Sequence, residues 1–159
     1  MKGRIYKVCV RPVITYAAET WVMRAVEEGI LRRAERAMVR KICGVKLSDR
    51  VGSEVLMERL GLCESIVEVA RRSSLRWCGH VLRKDEGEGV KRAWNLEVDG
   101  KRGRGRPKLT WKSMVEGQCK QIGLNINDYG NRQKWRNVIA TWKEGQSVTP
   151  RQGEEIDFN

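Results

Sequence analysis

Three times along the chain, a segment with helical periodicity ends at a glycine that is followed at once by an apolar residue. These pairs are Gly44-Val45, Gly61-Leu62 and Gly123-Leu124. Glycine readily adopts the left-handed conformation that closes a helix, and the apolar residue after it packs back on the last turn. The pattern therefore predicts helices that end at these three points, and little strand-type alternation lies between them.

Spacings of three and four residues between apolar positions predict helices almost throughout. We place them at about residues 5–16, 23–43, 53–60, 65–82, 107–122 and 132–142, with a further short turn near 90–94. Ser53 and Ser65 are predicted N-cap residues, and Pro107 is predicted to lie in the first turn of its helix. The expected fold class is all-α, with five to six helices.

The first two predicted helices each have an apolar stripe. In the first segment Pro12 interrupts the pattern, which predicts either a kinked helix or two short pieces. Its apolar positions are Ile5, Val8, Cys9, Pro12, Val13 and Tyr16. In the second segment the stripe is Val26, Ile30, Ala34, Ala37 or Met38, and Ile42.

Six tryptophans are many for 159 residues, and five of them lie on or beside apolar helical faces. We interpret those five as core residues, namely Trp21, Trp77, Trp111, Trp135 and Trp142. The later helices should pack through Trp77, Trp111 and Trp135. Trp94 falls in a glycine-rich stretch and is the best candidate for an exposed ring that stacks on a nucleobase.

The charge balance points to a polyanionic partner. The chain has 32 Lys and Arg residues against 20 Asp and Glu residues, which gives a net charge of +12. Nucleic acid is the first candidate, and an anionic membrane surface is the second. No apolar stretch approaches the length of a membrane helix, and Arg11 and Pro12 interrupt any secretory signal. We expect an intracellular protein, nuclear or cytoplasmic, without a membrane partner.

The cysteines and the single histidine give no sign of a metal or redox site. The cysteines, at 9, 43, 63, 78 and 119, are odd in number and form no CxxC pair. This spacing is typical of free thiols in a reducing compartment and makes structural zinc unexpected. His80 follows an apolar helical pattern, so we interpret it first as a packed or capping residue and second as a nucleic-acid contact.

No catalytic motif is apparent. Two-metal phosphoryl chemistry needs paired carboxylates, and no two of the aspartates are adjacent. The chain also lacks GxSxG, HExxH and P-loop motifs. We expect no enzymatic activity, no cofactor, no metal and no small-molecule substrate.

Positive charge is concentrated between residues 76 and 112, where eleven basic residues face five acidic ones. Arginine supplies forked donors for phosphate, and glycine lets the backbone come close to a strand. The Arg-Gly-Arg-Pro core also resembles an AT-hook for narrow minor grooves. A solvated loop and a localisation signal are the alternatives. The predicted nucleic-acid contacts are Arg76, Arg83, Lys84, Trp94, Lys101, Arg102, Arg104, Arg106 and Lys108.

Four co-linear strings resemble reverse transcriptases of non-LTR (LINE-type) retrotransposons. They are YAAETW from residue 16, LRWCGHVLR from residue 75, GRGRP through TW at 103–111, and RQKWR from residue 132. Ala17 stands where the family has glycine, and Asn131 where it often has aspartate. The matching positions are Tyr16, Glu19, Trp21, Trp77, Gly79, His80, Pro107, Trp111, Trp135 and Arg136.

The resemblance implies a non-catalytic C-terminal fragment of an RNA-directed DNA polymerase, without the palm aspartates and without the family's occasional zinc knuckle. It implies a thumb-like helical region at 1–62 and a post-thumb helical region at 63–142, whose basic loop spans about 97–107. Residues 143–159 are expected to be a disordered tail. The implied partners are DNA, RNA or a hybrid, and an upstream polymerase. The alternatives are a degenerate element remnant and a helical protein-interaction module.

Overall fold

The computed structural model describes residues 1–96, 105 and 109–142, and this part of the chain is all-α. Its first three segments follow one another directly, and we call them the rod. Counting the rod once, the described part of the chain contains seven helices, one more than expected because the turn predicted near residue 90 extends into a helix. Short 3₁₀ segments occupy Ala18–Thr20, Leu47–Asp49 and Ile126–Gly130. The rod comprises α1 (Lys2–Ile5), a π-helical turn (Tyr6–Val10) and α2 (Arg11–Ile14); the other helices are α3 (Ala25–Cys43), α4 (Ser53–Arg59), α5 (Ile66–Leu82), α6 (Gly89–Asn95), α7 (Trp111–Gln121) and α8 (Arg132–Thr141).

The three predicted glycine stops are confirmed. Gly44, Gly61 and Gly123 have φ values of +70°, +65° and +68°. In each case the N–H of the following apolar residue donates to the carbonyl five residues back, as in the 2.9 Å bond from Leu124 to Cys119. These bonds satisfy carbonyls that the end of a helix leaves free, so the sequence pattern located the ends correctly.

Of the predicted helix starts, the one at Ser65 is confirmed and the one at Ser53 is not. Ser65 is the N-cap of α5, and its Oγ accepts the Glu68 N–H at 3.2 Å while Glu68 Oε2 accepts the Ser65 N–H at 2.6 Å. Ser53 is not an N-cap, because Gly52 takes that position and Ser53 is the first helical residue. The N-cap of α7 is Thr110, whose hydroxyl accepts the Ser113 N–H, and Pro107, the predicted start, lies outside the described residues.

Two hydrophobic clusters hold the described residues together. The larger surrounds α5, with Trp135 and Trp142 buried in it and Trp21 and Trp111 half-buried against it. Trp77 departs from the prediction, because it is a half-buried residue of α5 that belongs to neither cluster. The smaller cluster joins the rod, α3 and α4 through Tyr6, Val39, Leu56 and Leu62. The larger one also includes Ala18 and Met23, so packing crosses residue 62, and the domain division stays a prediction.

The apolar stripe predicted for α3 is wrong in its first half and right in its second, where Met38 and Ile42 pack against the smaller cluster. Val26 and Ile30 are 68% and 53% exposed, whereas Glu35 and Val39 are the buried residues of this helix. The physical cause is that the Glu35 carboxylate is bound inside the fold. Its Oε1 accepts from Arg11 Nη2 at 2.8 Å and from Tyr6 Oη at 3.2 Å.

This buried polar centre ties three parts of the chain together. Glu35 Oε2 accepts the Ile66 N–H at 2.9 Å, which satisfies a donor in the first turn of α5. Arg11 Nη2 also donates to the Glu64 carbonyl at 2.8 Å. Burial, followed by the nearby Glu35 charge, raises the pKa of Tyr6 to about 12. Tyr6 therefore stays a neutral hydrogen-bond donor at physiological pH.

The π-helical turn explains how the rod supplies both Tyr6 and Arg11. The Arg11 N–H donates to the Tyr6 carbonyl, so five residues rather than four separate the two ends of this turn. Helical segments follow one another without a break from Lys2 to Ile14, and Pro12 lies in the first turn after the π segment. All six positions of the predicted apolar stripe are exposed, five on the rod and Tyr16 just after it.

Replacing Ala17 with glycine is expected to raise the free energy of unfolding by about 1 kcal/mol. Ala17 has φ +55°, a left-handed conformation that costs an L-residue with a Cβ atom about 1–2 kcal/mol. Part of this stabilisation is offset because glycine has more conformational entropy than alanine in the unfolded chain. Urea denaturation measures the change. Ala34→Gly, at an exposed position inside α3, is the matched control and should cost about 1 kcal/mol. Equal losses at both positions would contradict the strain at Ala17.

Candidate nucleic-acid interface

Helices α5 and α8 pack side by side and run in opposite directions. The Tyr129 carbonyl, just before α8, accepts from Arg83 Nη1 at 3.0 Å. The indole N–H of Trp135 donates to the Leu75 carbonyl at 3.0 Å. At the far end, the carbonyl of Trp142 accepts from Arg72. As the residue numbers rise along α8, the partner numbers on α5 fall, so the pair is antiparallel.

Gly79 is the point of closest approach between the two helices. A Cβ atom at this position would lie only 2.5 Å from Trp135 Nε1, so the indole occupies the space that any side chain would need. Trp135 is itself 1% exposed. The Gly79–Trp135 contact therefore fixes which edges of α5 and α8 lie next to each other.

Four arginines line one edge of this helix pair. At about 100° per residue, Arg76 and Arg83 lie within about 60° of the Gly79 direction on α5. By the same geometry, Arg132 and Arg136 lie about 60° and 100° from the Trp135 direction on α8. Because the helices are antiparallel, these rotations point to the same side of the pair. We call the set Arg76, Arg83, Arg132 and Arg136 the α5–α8 basic groove.

In the α5–α8 basic groove, Arg83 and Arg132 are close enough for their like charges to repel each other. Burial lowers the pKa of Arg83, and the neighbouring Arg132 charge lowers it further. Within α5 and α8 the only carboxylate is Glu68, which binds the backbone at the opposite end of α5. Arg76, Arg132 and Arg136 are exposed, and Arg83 is half-buried. An anion in the groove would therefore relieve repulsion between its arginines.

The remaining predicted contacts lie elsewhere. Lys84 is outside the groove and forms a 3.0 Å ion pair with Glu88. The prediction that Trp94 is an exposed ring is wrong, because it is half-buried and meets Trp111 edge-on, with ring centroids 5.7 Å apart. The basic-loop residues lie outside the described residues, as does Pro107; they are Lys101, Arg102, Arg104, Arg106 and Lys108.

Other residues in or next to the four resembling strings make contacts within the fold or lie on its surface. His80 is exposed rather than packed inside, and its ring stacks on Trp77 with centroids 5.2 Å apart and an interplanar angle of 22°. The Glu19 carbonyl accepts the Trp111 indole N–H at 2.8 Å, which links α7 to the turn before α3. Tyr16 is 80% exposed. Asn131 is the N-cap of α8 and accepts the Lys134 N–H, as an aspartate there could do.

Arg132 and Arg136 are the groove residues that the sequence did not predict as nucleic-acid contacts, since Arg136 is named only as a position of the family motif. Their spacing of four residues, in a helix without carboxylates, would have placed both arginines on one face. Which neighbouring face they approach depends on the antiparallel contact with α5. That contact is not visible in the local sequence.

The thiols and carboxylates of the described residues form no further site. Burial raises the pKa of Cys78 to about 12 and that of Cys119 to about 11, so both are neutral thiols in the larger cluster. Cys9 and Cys63 are exposed. Among the residues with described positions, no group of three or more metal-ligating side chains occurs. No helix in that part of the chain is both long and apolar enough to span a bilayer.

Comparison of the chain with protein-family models, with curated proteins and with solved structures finds no match in any of the three. The geometry of the site is therefore what a functional proposal has to be built on.

Proposed function

We propose that this chain binds nucleic acid and catalyses no reaction of its own. The proposal rests on the α5–α8 basic groove, four arginines that helical geometry places on one edge of an antiparallel pair whose only carboxylate within the two helices, Glu68, lies at the opposite end of α5. Guanidinium groups bind phosphate through paired N–H donors, and each neutralised phosphate releases counterions. A polyanion gains from both effects at once.

The dimensions of the groove suit a polymer better than a single anion. Arg76 and Arg83 are separated by about 10 Å along α5, and Arg132 and Arg136 by about 6 Å along α8, at a rise of about 1.5 Å per residue. One small anion could not contact all four. A nucleic-acid strand carries a charge at every nucleotide and can contact several of them together.

We further propose that the basic loop also contacts nucleic acid. Residues 101–108 carry five positive charges and no negative one. If the loop follows phosphates, it should bind every duplex alike. If it enters a minor groove, it should prefer A·T tracts, where the groove is narrow and its potential most negative.

On the resemblance to non-LTR reverse transcriptases, the proposed context is the non-catalytic region that follows a polymerase palm. The ligand would be template–primer or target DNA, and the location would be the nucleus or the cytoplasm. The alternative is a protein-interaction module, which one observation favours: Ile5, Val8, Val13 and Tyr16 leave more than half of their surface exposed on the rod or just after it. Self-association that is insensitive to salt would support that alternative.

Neutralising two groove arginines, in the double variant Arg132→Gln/Arg136→Gln, should reduce the salt dependence of duplex binding. The slope of log K against log[salt] should become less negative by about two units, because each phosphate that an arginine neutralises accounts for about 0.9 of the slope. Fluorescence anisotropy with a labelled duplex over a salt series measures it. Lys134→Gln is the matched control, because Lys134 is on the same helix but forms an ion pair with Asp128 at 2.6 Å.

A second set of variants distinguishes binding by the α5–α8 basic groove from binding by the basic loop. Arg102→Ala/Arg104→Ala/Arg106→Ala should remove about three slope units if each arginine contacts a phosphate. The wild-type chain should not extend a primer with Mg²⁺. Folded groove variants that keep the wild-type slope would refute the groove as the site, and Mg²⁺-dependent primer extension would refute the absence of catalysis.

A further inference from the structure

A second groove, of about 450 Å³, lies on a different side of α5 and is lined by three tryptophans, Trp77, Trp94 and Trp111. Val81 of α5 lines the groove as well, together with Lys112 of α7. We call these lining residues the tryptophan groove. All three indole rings are half-buried, so their packing leaves part of each ring accessible.

Lys112 is the one charged side chain among the described residues that line the tryptophan groove. Lys112 Nζ lies 5.2 Å from the centroid of the Trp94 ring. His80 stacks on Trp77, and Arg76 lies about 100° from Trp77 around α5, on the side of the α5–α8 basic groove. Among the described residues that line the groove there is no carboxylate. Aromatic faces beside cations are the combination that holds unpaired bases, whose rings stack while their phosphates contact the charges.

The two grooves are connected around one helix. Counting about 100° per residue, Trp77 lies about 160° from the Gly79 direction that faces α8, and His80 lies about 100° from it. His80 therefore marks the edge of α5 between the α5–α8 basic groove and the tryptophan groove. A strand that leaves the basic groove past this edge reaches Trp77 next.

We infer that the tryptophan groove binds an unpaired nucleobase from a single-stranded stretch that adjoins the duplex in the α5–α8 basic groove. The inference rests on the proposed function, since it takes the duplex to be held by the arginines. It adds a separate contact for the unpaired strand of such a ligand, beyond the arginines that hold the duplex. The base stacks on an indole face, and the phosphate backbone follows Arg76 and Lys112.

The test compares two DNA probes, a duplex with a thymidine overhang and the same duplex with an abasic overhang. Their phosphates are identical, so the ratio of their dissociation constants measures base contact alone. The wild-type chain should bind the thymidine probe about 5- to 150-fold more tightly, the range that one stacked base supplies. Trp77→Leu should abolish the preference, and Trp77→Phe should retain part of it. Both should leave affinity for a blunt duplex unchanged.

Trp21→Leu is the control, because Trp21 is also half-buried but lines a separate hollow with Ile30 and Leu31. It should keep the preference. A fluorescent purine analogue in the overhang gives a second readout that needs no variant, since stacking on wild-type indoles should quench it. Equal affinity for both probes, a preference that survives Trp77→Leu, or an unquenched analogue would overturn the inference. Failure of the proposed function would instead appear as loss of blunt-duplex binding or as indifference to Arg132→Gln/Arg136→Gln.

Discussion

Replacing Glu35 with glutamine should lower the free energy of unfolding by about 3–5 kcal/mol, the cost of leaving a buried charge without its partner. Arg11 is 3% exposed and has the Glu35 carboxylate at 2.8 Å. The amide of glutamine keeps the shape of the side chain but cannot neutralise the guanidinium. Equilibrium unfolding in urea, followed by circular dichroism, measures the loss.

Two further variants separate the charge effect from a general sensitivity of the glutamates. Glu54→Gln, at an exposed position in α4, should change stability by less than about 0.5 kcal/mol. The double variant Arg11→Met/Glu35→Met should lose less than the two single variants together, because neither charge remains buried alone. A loss at Glu35 no greater than that at Glu54 would show that the buried pair contributes nothing.

Substituting Gly79 by alanine should destabilise the chain by about 1–3 kcal/mol, although alanine is the better helix former. The added methyl group would lie 2.5 Å from the indole nitrogen of Trp135, which is buried and has little room to move. Overpacking of this kind costs more than the gain of about 1 kcal/mol in helix propensity. The thermal midpoint and the urea midpoint should both fall.

Gly117 offers a control of the opposite sign. It lies inside α7, and a Cβ atom there would have no heavy atom within 4 Å among those considered. Gly117→Ala should therefore stabilise the chain by about 0.5–1 kcal/mol. Adding Trp135→Phe to Gly79→Ala should recover part of the loss, since the smaller ring vacates the contested space. Similar shifts for Gly79→Ala and Gly117→Ala would rule out the close approach of α5 and α8.

Local sequence predicted the helix ends better than the buried faces. The glycine stops and the Ser65 cap depend on residues a few positions apart, so the pattern contains the whole cause. The face of α3 could not be predicted in the same way. Burial of Glu35 depends on Tyr6, Arg11 and the Ile66 N–H, which are distant in sequence and meet only in the folded chain.

The residues of the candidate site also differ in whether the local sequence could predict them. Arg76 and Arg83 could be predicted because they flank one apolar helix. Arg132 and Arg136 joined them only once the antiparallel contact of α5 with α8 was known. Trp94 was predicted to be exposed because its neighbours in sequence are polar and glycine-rich, but the ring that covers its edge, Trp111, comes from a helix that begins beyond the basic loop.

The π-helical turn makes the N-terminal rod sensitive to its length. Gly3 faces the Leu60 carbonyl so closely that a Cβ atom would lie 1.9 Å from the oxygen, which fixes the start of the rod. Arg11 fixes its other end on Glu35. Deleting one residue between them would restore ordinary helical bonding but turn one anchor away from its partner by about 100°. Exposed residues of the rod such as Val8 can therefore be exchanged freely, whereas their number cannot change.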